Sequence, residues 1–439
     1  MQAILQHRYF TPIALLIIVL LAILHLALLP ITPPGFFLDE AATGAHVVAM
    51  IHHGTNAHGE AWPLFSESLG GGYTTPIYLY PLVAWSFLFG ASELSLRAFS
   101  QISTLIAVGL VAWALRYWLD KKAALIAAIV GLALPWGWLQ GSLAWDPALV
   151  PLFIAISFFC FTLLLFSEKK IARITGMVIL PVSLIALAYL YPPCRITAPL
   201  LYLLFYGALL YKKAISWRIV ALSCVGAAII AIPLALFMIE PSSLERSQSL
   251  SVFAHVPFVT GIALGLSNIW QLISPVFLFL AGDPNLRHST IIQGMLGFGA
   301  IIPFFVTIFF GTKQWIGQKP FSNLSLLAVT AGIGILASLL GSALTNEGQP
   351  HSLRATAAWP FFVIIITIGW LALARYASRR LVMAATALFT VGTIAYIIDL
   401  ATFYPDRAAS SFDVQARDQI KHGETPSYPD LSLEYYKSR

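Results

Sequence analysis

The chain has 439 residues, of which 59% are hydrophobic and only 10% charged. Soluble domains carry about 25% charged residues. A water-facing surface cannot be assembled from so few, so a soluble enzyme is excluded and a lipid-embedded bundle is expected. The formal net charge of +6 does not point to nucleic acid, because the basic residues fall in short loops between apolar runs. The cysteines Cys160, Cys194 and Cys224 are odd in number and lack close spacing. They predict neither a disulfide framework nor a zinc site and read as structural.

A spanning helix needs roughly 20 apolar residues. In chain order, spans are predicted near 11–30, 97–118, 123–140, 149–166, 175–191, 196–211, 219–239, 291–310, 323–342, 355–373 and 381–400. The fold class is an all-α polytopic membrane protein of about eleven transmembrane helices. The first run follows His7-Arg8 and is too long for a signal-peptide core. The pairs Lys121-Lys122, Lys169-Lys170, Lys212-Lys213 and Arg379-Arg380 all fall on one side when the spans alternate. By the positive-inside rule that side is cytoplasmic, as is the N-terminus.

The spans form one transmembrane unit over 1–400. A first external loop covers 31–96, a second covers 240–290, and 401–439 forms a polar, mostly irregular external tail. Ile77–Phe89 and Ile269–Ala281 are too short or interrupted to span and are predicted to lie at the membrane surface. The cytoplasmic loops hold little besides topology-setting charge, so an active site is expected on the outer face.

Charged residues at membrane depth are costly and usually functional. Asp39-Glu40 follow the turn Pro33-Pro34-Gly35 and precede a helix-like run ending at His52-His53-Gly54. Spacing alone makes Asp39 an N-cap. The same place suits a general base held beside the bilayer. Gly70-Gly71-Gly72-Tyr73-Thr74-Thr75-Pro76-Ile77-Tyr78 permits close backbone approach, although its tyrosines also suit an interfacial belt. Asp146, followed by Pro147, reads as a cap or as a second acid. Arg195, His351 and Arg354 recur at outer span ends. There they either snorkel or face an anionic headgroup.

In combination these residues resemble the protein O-mannosyltransferase and aminoarabinose-transferase superfamily, membrane glycosyltransferases of GT-C type. Asp39-Glu40 is similar to that family's acidic pair, and Asp146 to its next external acid. The segments 73–78 and 88–93 with Arg97, then 189–195, Phe277–Asp283 with Arg287-His288, and 351–354 also resemble members. The likeness runs to about residue 375. Thr75-Pro76 stands where relatives often have His-Pro or Lys-Pro-Pro, and the tail is shorter than in some.

The resemblance implies a polyprenyl-phosphate sugar donor and a protein, lipid or glycan acceptor entering from outside, with membrane lipids and no nucleic acid as partners. It implies a location in the plasma (inner) membrane. A phosphate leaving group needs no general acid. It needs cations, and Arg195, Arg354 and His351 are the candidates. Asp39, Glu40 and Asp146 are the catalytic candidates, and single displacement would invert the anomeric centre. Tyr73, Tyr78, Asp283 and Arg287 are candidate substrate contacts. A divalent metal at Asp39, Asp146 or a histidine is compatible with the family. The spacing of His46, His52, His53 and His58 matches no metal motif, so no ligand is assigned. The competing class is a transporter or lipid flippase, which would place polar groups at mid-membrane and show repeat symmetry; neither is found. A polysaccharide polymerase or ligase would put its main loop late in the chain, whereas here the first loop is richest.

Overall fold

The computed structural model describes residues 9–68, 72–317, 322–346 and 348–412. Gly70 and Gly71 of the triple glycine, and the tail from 413 onward, lie outside the described residues. The rest is an all-α bundle. Its strands are the two-residue pair Ser66–Glu67 and Tyr73–Thr74, antiparallel within the first loop.

Ten described helices are long and apolar enough to cross a membrane. They follow the predicted spans closely: Phe10–Ala27, Glu93–Trp118, Asp146–Phe166, Lys170–Leu190, Cys194–Tyr211, Trp217–Met238, Asn323–Ala343, Thr356–Tyr376 and Arg379–Thr402, with Phe258–Leu280 in addition. The predicted span at 123–140 is broken. Lys121–Ala133 and Pro135–Gly141 meet at a bend of 59°. Leu134 is extended there (ψ 133°), as a residue before proline prefers.

Two segments depart from the sequence reading. Phe258–Leu280 starts well before the predicted surface helix and is long enough to cross, yet it does not cross. Ahead of it, Val252 N–H donates to Leu344 O at 3.1 Å and Asn346 N–H to Leu250 O at 2.8 Å. Behind it, Asp283 accepts Ser352 N–H at 2.7 Å. Both flanks therefore meet the turn between Asn323–Ala343 and the helix Trp359–Tyr376, so the segment enters and leaves at one end.

The predicted span at 291–310 is also corrected. Residues 291–297 are irregular, and the helix is Ile301–Gly317. A Cβ on Gly294 would come 2.2 Å from the backbone of Phe279, and Gly297 has φ 69°. Close approach and a left-handed turn both oppose helix here. The helix starts part-way along the last span, Gly299 against Phe389. Ile302 and Val306 then pack with Leu373, Val382 and Ala385. The shorter apolar helix Pro76–Phe89 lies in the first loop, as expected of a surface helix.

The tail begins in order rather than irregularly. Tyr404–Ala408 is helical, Tyr404 donates to Leu286 O at 2.6 Å, and Arg407 forms a two-bond pair with Asp399 at 3.0 and 2.7 Å. The basic pairs gather at one end of the bundle. There Arg173 holds the carbonyls of Leu164 and Ala214 at 2.9 and 2.6 Å. Apart from Asp120 and Glu168, which flank basic pairs, most acids and the long loops gather at the other.

Helix contact in a membrane relies on small residues. A Cβ on Gly369 would lie 1.8 Å from Pro303 O, beside the bond from Thr307 Oγ1 to Ile365 O at 2.7 Å. Gly369→Ala should therefore lower stability by about 1–3 kcal/mol, the usual cost of overpacking. It would be read as a lower Tm in detergent. Gly207→Ala, where an added Cβ meets nothing within 4 Å, should not lower Tm. Equal Tm values for the two would deny the Ile301–Gly317 contact.

Candidate active site at the acid-bearing end

The helix Leu38–His53 begins after Phe37 and ends at Gly54, whose φ of 69° supplies the left-handed stop. Asp39 is not the N-cap, because it already lies inside the first turn. Phe37 offers no side-chain oxygen, and Glu40 bends back to accept Phe37 N–H at 3.1 Å. Capping thus falls to Glu40 and leaves Asp39 half-buried at the helix start.

Glu40 does more than cap. It is fully buried, as is Arg97. Arg97 Nε donates to Glu40 Oε1 at 2.9 Å and Nη2 to Oε2 at 2.8 Å. Nη1 donates to Glu93 at 2.6 Å and to Pro33 O at 3.1 Å, and Nη2 also reaches Gly35 O. Ala144 N–H completes the shell by donating to Glu40 Oε1 at 2.8 Å. With both oxygens so occupied, Glu40 holds no open position for a reacting group. Its local signal was weak, since Arg97 is 57 residues away.

The hairpin that follows is pinned to the bundle. Phe65 stacks on Phe237 at 4.0 Å, and Tyr73 meets the same ring edge-on at 4.8 Å. Tyr73 therefore lies on an aromatic clamp over the ends of two spans. Tyr78 is completely buried, with its hydroxyl on Ser100 at 2.9 Å. That position beneath the acids gives a substrate nothing to touch, so the expected substrate contact is corrected to a core residue. His46 Nε2 and His58 Nε2 both donate to Glu67 O, at 3.0 and 2.9 Å, while His46 Nδ1 accepts Ala57 N–H at 3.2 Å. Burial, and then the neighbouring His58, push His46 down to about 4. It is a neutral staple of the loop.

Asp146 opens the turn before the helix Val150–Phe166, with Pro147 in its first turn as the sequence suggested. It is buried, and Oδ2 accepts Thr75 N–H at 2.9 Å. Asp39 lies within electrostatic range of Asp146 and of Tyr191. Tyr191, which the sequence reading did not single out, shares a hydrogen bond with Arg354. Burial pushes its hydroxyl up to about 12, against the pull of Arg354, so it stays protonated. Arg354 Nη1 also donates to Thr345 Oγ1 at 3.0 Å. Arg195 stands in the first turn of Cys194–Tyr211, and its buried Nε has no hydrogen-bond partner among the described residues. The preceding Pro193 carbonyl lies against Gly341, near the same inter-helix turn.

The 283–288 loop closes the site from the other side. The Arg287 guanidinium lies 4.0 Å over the Phe37 ring, two residues from Asp39. Asp283 is buried and organises the loop, accepting Asn285 N–H at 2.8 Å on Oδ1 and the Ser352 N–H and hydroxyl at 2.7 and 3.0 Å on Oδ2. It therefore lies behind Arg287 rather than facing the opening. His288 Nδ1 is 3.2 Å and His351 Nδ1 4.0 Å from Asp283 Oδ2. Burial, then the neighbouring His288, Arg354 and Arg287, hold His351 far below the usual imidazole range. It is neutral at pH 7 and a poor cation for a phosphate.

No protein-family profile matches the chain. Among solved structures it resembles ArnT from Cupriavidus metallidurans bound to undecaprenyl phosphate, with TM-score 0.53 and 16% identity over 98% of this chain and 76% of that one. It also resembles the archaeal oligosaccharyltransferase AglB from Archaeoglobus fulgidus, in complex with an inhibitory peptide and a dolichol-phosphate. There the TM-score is 0.53 and the identity 14%, over 98% of this chain and 60% of that one. At such identities the likeness is one of fold alone.

The Glu40 cluster makes a prediction of stability rather than chemistry. Glu40→Gln keeps the size but removes a charge from a fully buried guanidinium. Breaking a buried pair from one side costs about 3–5 kcal/mol. The variant should show a sharply lower Tm or little folded protein. A parental Tm would remove the pair from its structural role.

Proposed function

We propose that this protein is a glycosyltransferase that moves a sugar from a polyprenyl-phosphate donor to an acceptor hydroxyl, in one displacement, at the acid-bearing end of the bundle. The observation that carries this is a convergence. Asp39, Asp146, Tyr191 and Arg354 come from four segments far apart in sequence and meet within electrostatic or hydrogen-bond range at one end. Charged groups set at mid-span, as a transporter would need, do not define this site. The shared fold adds to the reading, since the ArnT and AglB structures are complexes with undecaprenyl phosphate and dolichol-phosphate.

In this mechanism Asp39 accepts the proton of the attacking hydroxyl. Its half-exposed position suits an acceptor arriving from water, and a positioned base is worth about 10²–10⁴ in rate. Glu40 acts as a positioning residue: through Arg97 it fixes the turn that carries Asp39. Asp146, anchored by Thr75 N–H, lines the centre beside Asp39. The lipid phosphate leaves as an anion and requires no proton. Arg354 and Arg195 are the groups to hold it, and the unpartnered Nε of Arg195 is a donor suited to such an oxygen. The protonated Tyr191 hydroxyl, on Arg354, adds a third donor. Arg287, over Phe37, borders the acceptor side, with Tyr73 on the clamp beyond it. The catalytic unit is 1–400, and the acid-bearing end faces away from the cytoplasm in a plasma (inner) membrane.

Two measurements test this. Asp39→Asn should fold with parental Tm, because Asp39 does not cap the helix. With a panel of polyprenyl-phosphate sugars, its release of free polyprenyl phosphate should fall by about 10²–10⁴. Parental turnover in the folded variant would remove Asp39 as the base. For orientation, cysteine at Ser68 should react with an impermeant thiol reagent in intact cells, and cysteine at Lys170 only after permeabilisation. The reverse pattern would put the acids on the cytoplasmic side.

A further inference from the structure

A second cluster stands beside the proposed reaction centre and has no part in the chemistry above. Asp283, His288 and His351 each offer one ligand atom, all within 4.8 Å of one another. The two imidazole rings lie 4.5 Å apart at 30°. Among the described residues His351 Nδ1 is buried without a hydrogen-bond partner, which is costly unless something else satisfies it.

We propose that Asp283, His288 and His351 form a three-ligand site for a divalent transition cation of the zinc type, separate from Asp39 and Asp146. Two imidazoles and one carboxylate are a donor set that favours zinc-like ions over magnesium or calcium. Bond lengths of about 2.0–2.2 Å in tetrahedral geometry put ligand atoms roughly 3.3 Å apart. The spacing of 3.2 Å from Asp283 Oδ2 to His288 Nδ1 already matches, and the 4.0 Å to His351 needs less than about 1 Å of closure. The surrounding shell is built for it. Asn285 N–H and Ser352 N–H orient the carboxylate. The Ser352 hydroxyl has an alternative acceptor in His288 O at 3.3 Å, which frees a lone pair of Oδ2. Gln140 holds the same carbonyl at 3.0 Å. Such groups fix ligand orientation in metal sites.

Binding through His288 Nδ1 would require the ring proton on Nε2, so that the ring coordinates as a neutral imidazole. Charge decides the fourth ligand. One carboxylate and two neutral imidazoles would leave the bound divalent cation a net positive charge. The open position therefore selects an anionic oxygen. That last clause rests on the donor reading; the three protein ligands do not.

The test uses the full-length protein in detergent, stripped by chelator and dialysed against Co²⁺ or Zn²⁺ with no lipid donor present, so that failure of the donor reading leaves the result untouched. The expected result is about one tightly held ion per chain, with the intense visible bands of tetrahedral Co²⁺. His288→Ala and His351→Ala should weaken binding about 10–100-fold or more, while Asp39→Asn should bind as the parent does. If His351→Ala fails to elute as a single species, His351→Gln, closer in volume, takes its place. Metal no higher than the buffer blank in the parent would overturn the proposal. So would full retention in the His351 variant, or loss in Asp39→Asn.

Discussion

A single buried arginine fixes the geometry of the acid-bearing end. A guanidinium has five N–H donors, and in Arg97 all five are used: two on Glu40, one on Glu93, and one each on the carbonyls of Pro33 and Gly35. Taking such a charge out of water costs several kcal/mol, and only complete satisfaction repays it. The cost is what makes the arrangement specific. Any register of the first loop that fails to deliver Glu40 and both carbonyls leaves a buried cation short of partners. The loop is long and has few helical bonds of its own over its first residues, so this one side chain decides where it lies.

Two adjacent acids have separate fates as a result. Glu40 points into the bundle and is consumed by Arg97, Phe37 and Ala144. Asp39, one residue earlier and about 100° around the helix, stays half-buried within electrostatic range of Tyr191 and Asp146. It is carried by a turn whose neighbour is held on every side. A related division recurs at 283–288, where Asp283 is buried and oriented by Asn285 and Ser352 while Arg287 lies over Phe37.

Much of the fold is legible in the sequence because lipid enforces it. Runs of apolar residues with basic pairs at alternate ends give helices such as Lys170–Leu190 and Arg379–Thr402 within a few residues. The reading fails where the backbone departs from straight helices. Gly294 and Gly297 delay the helix at 301, and Phe258–Leu280 carries enough apolar surface to look like a crossing. In the site, Asp39 and Asp146 stand out as acids at span ends, and Arg195 and Arg354 as cations there. Partnership is not legible. That Glu40 belongs to Arg97, or that Tyr78 belongs to Ser100, is a fact of tertiary contact with no local pattern. Tyr191 and His288 were visible as residues but not as members of the cluster, for the same reason.

The break at Leu134 has a consequence for how the molecule is made. Around the interruption two carbonyls accept from side chains made early and late in the chain. Leu132 O bonds His25 at 3.0 Å, and Pro135 O accepts from Tyr396 at 3.3 Å. Thr32, at the entrance to the first loop, likewise donates to Leu400 O at 2.7 Å. Tyr396 is made 261 residues after Pro135. At synthesis rates of roughly 5–20 residues per second, this partner arrives tens of seconds after the bend is made. Until Leu400 is delivered, the entrance to the first loop likewise lacks its tie to the helix Arg379–Thr402.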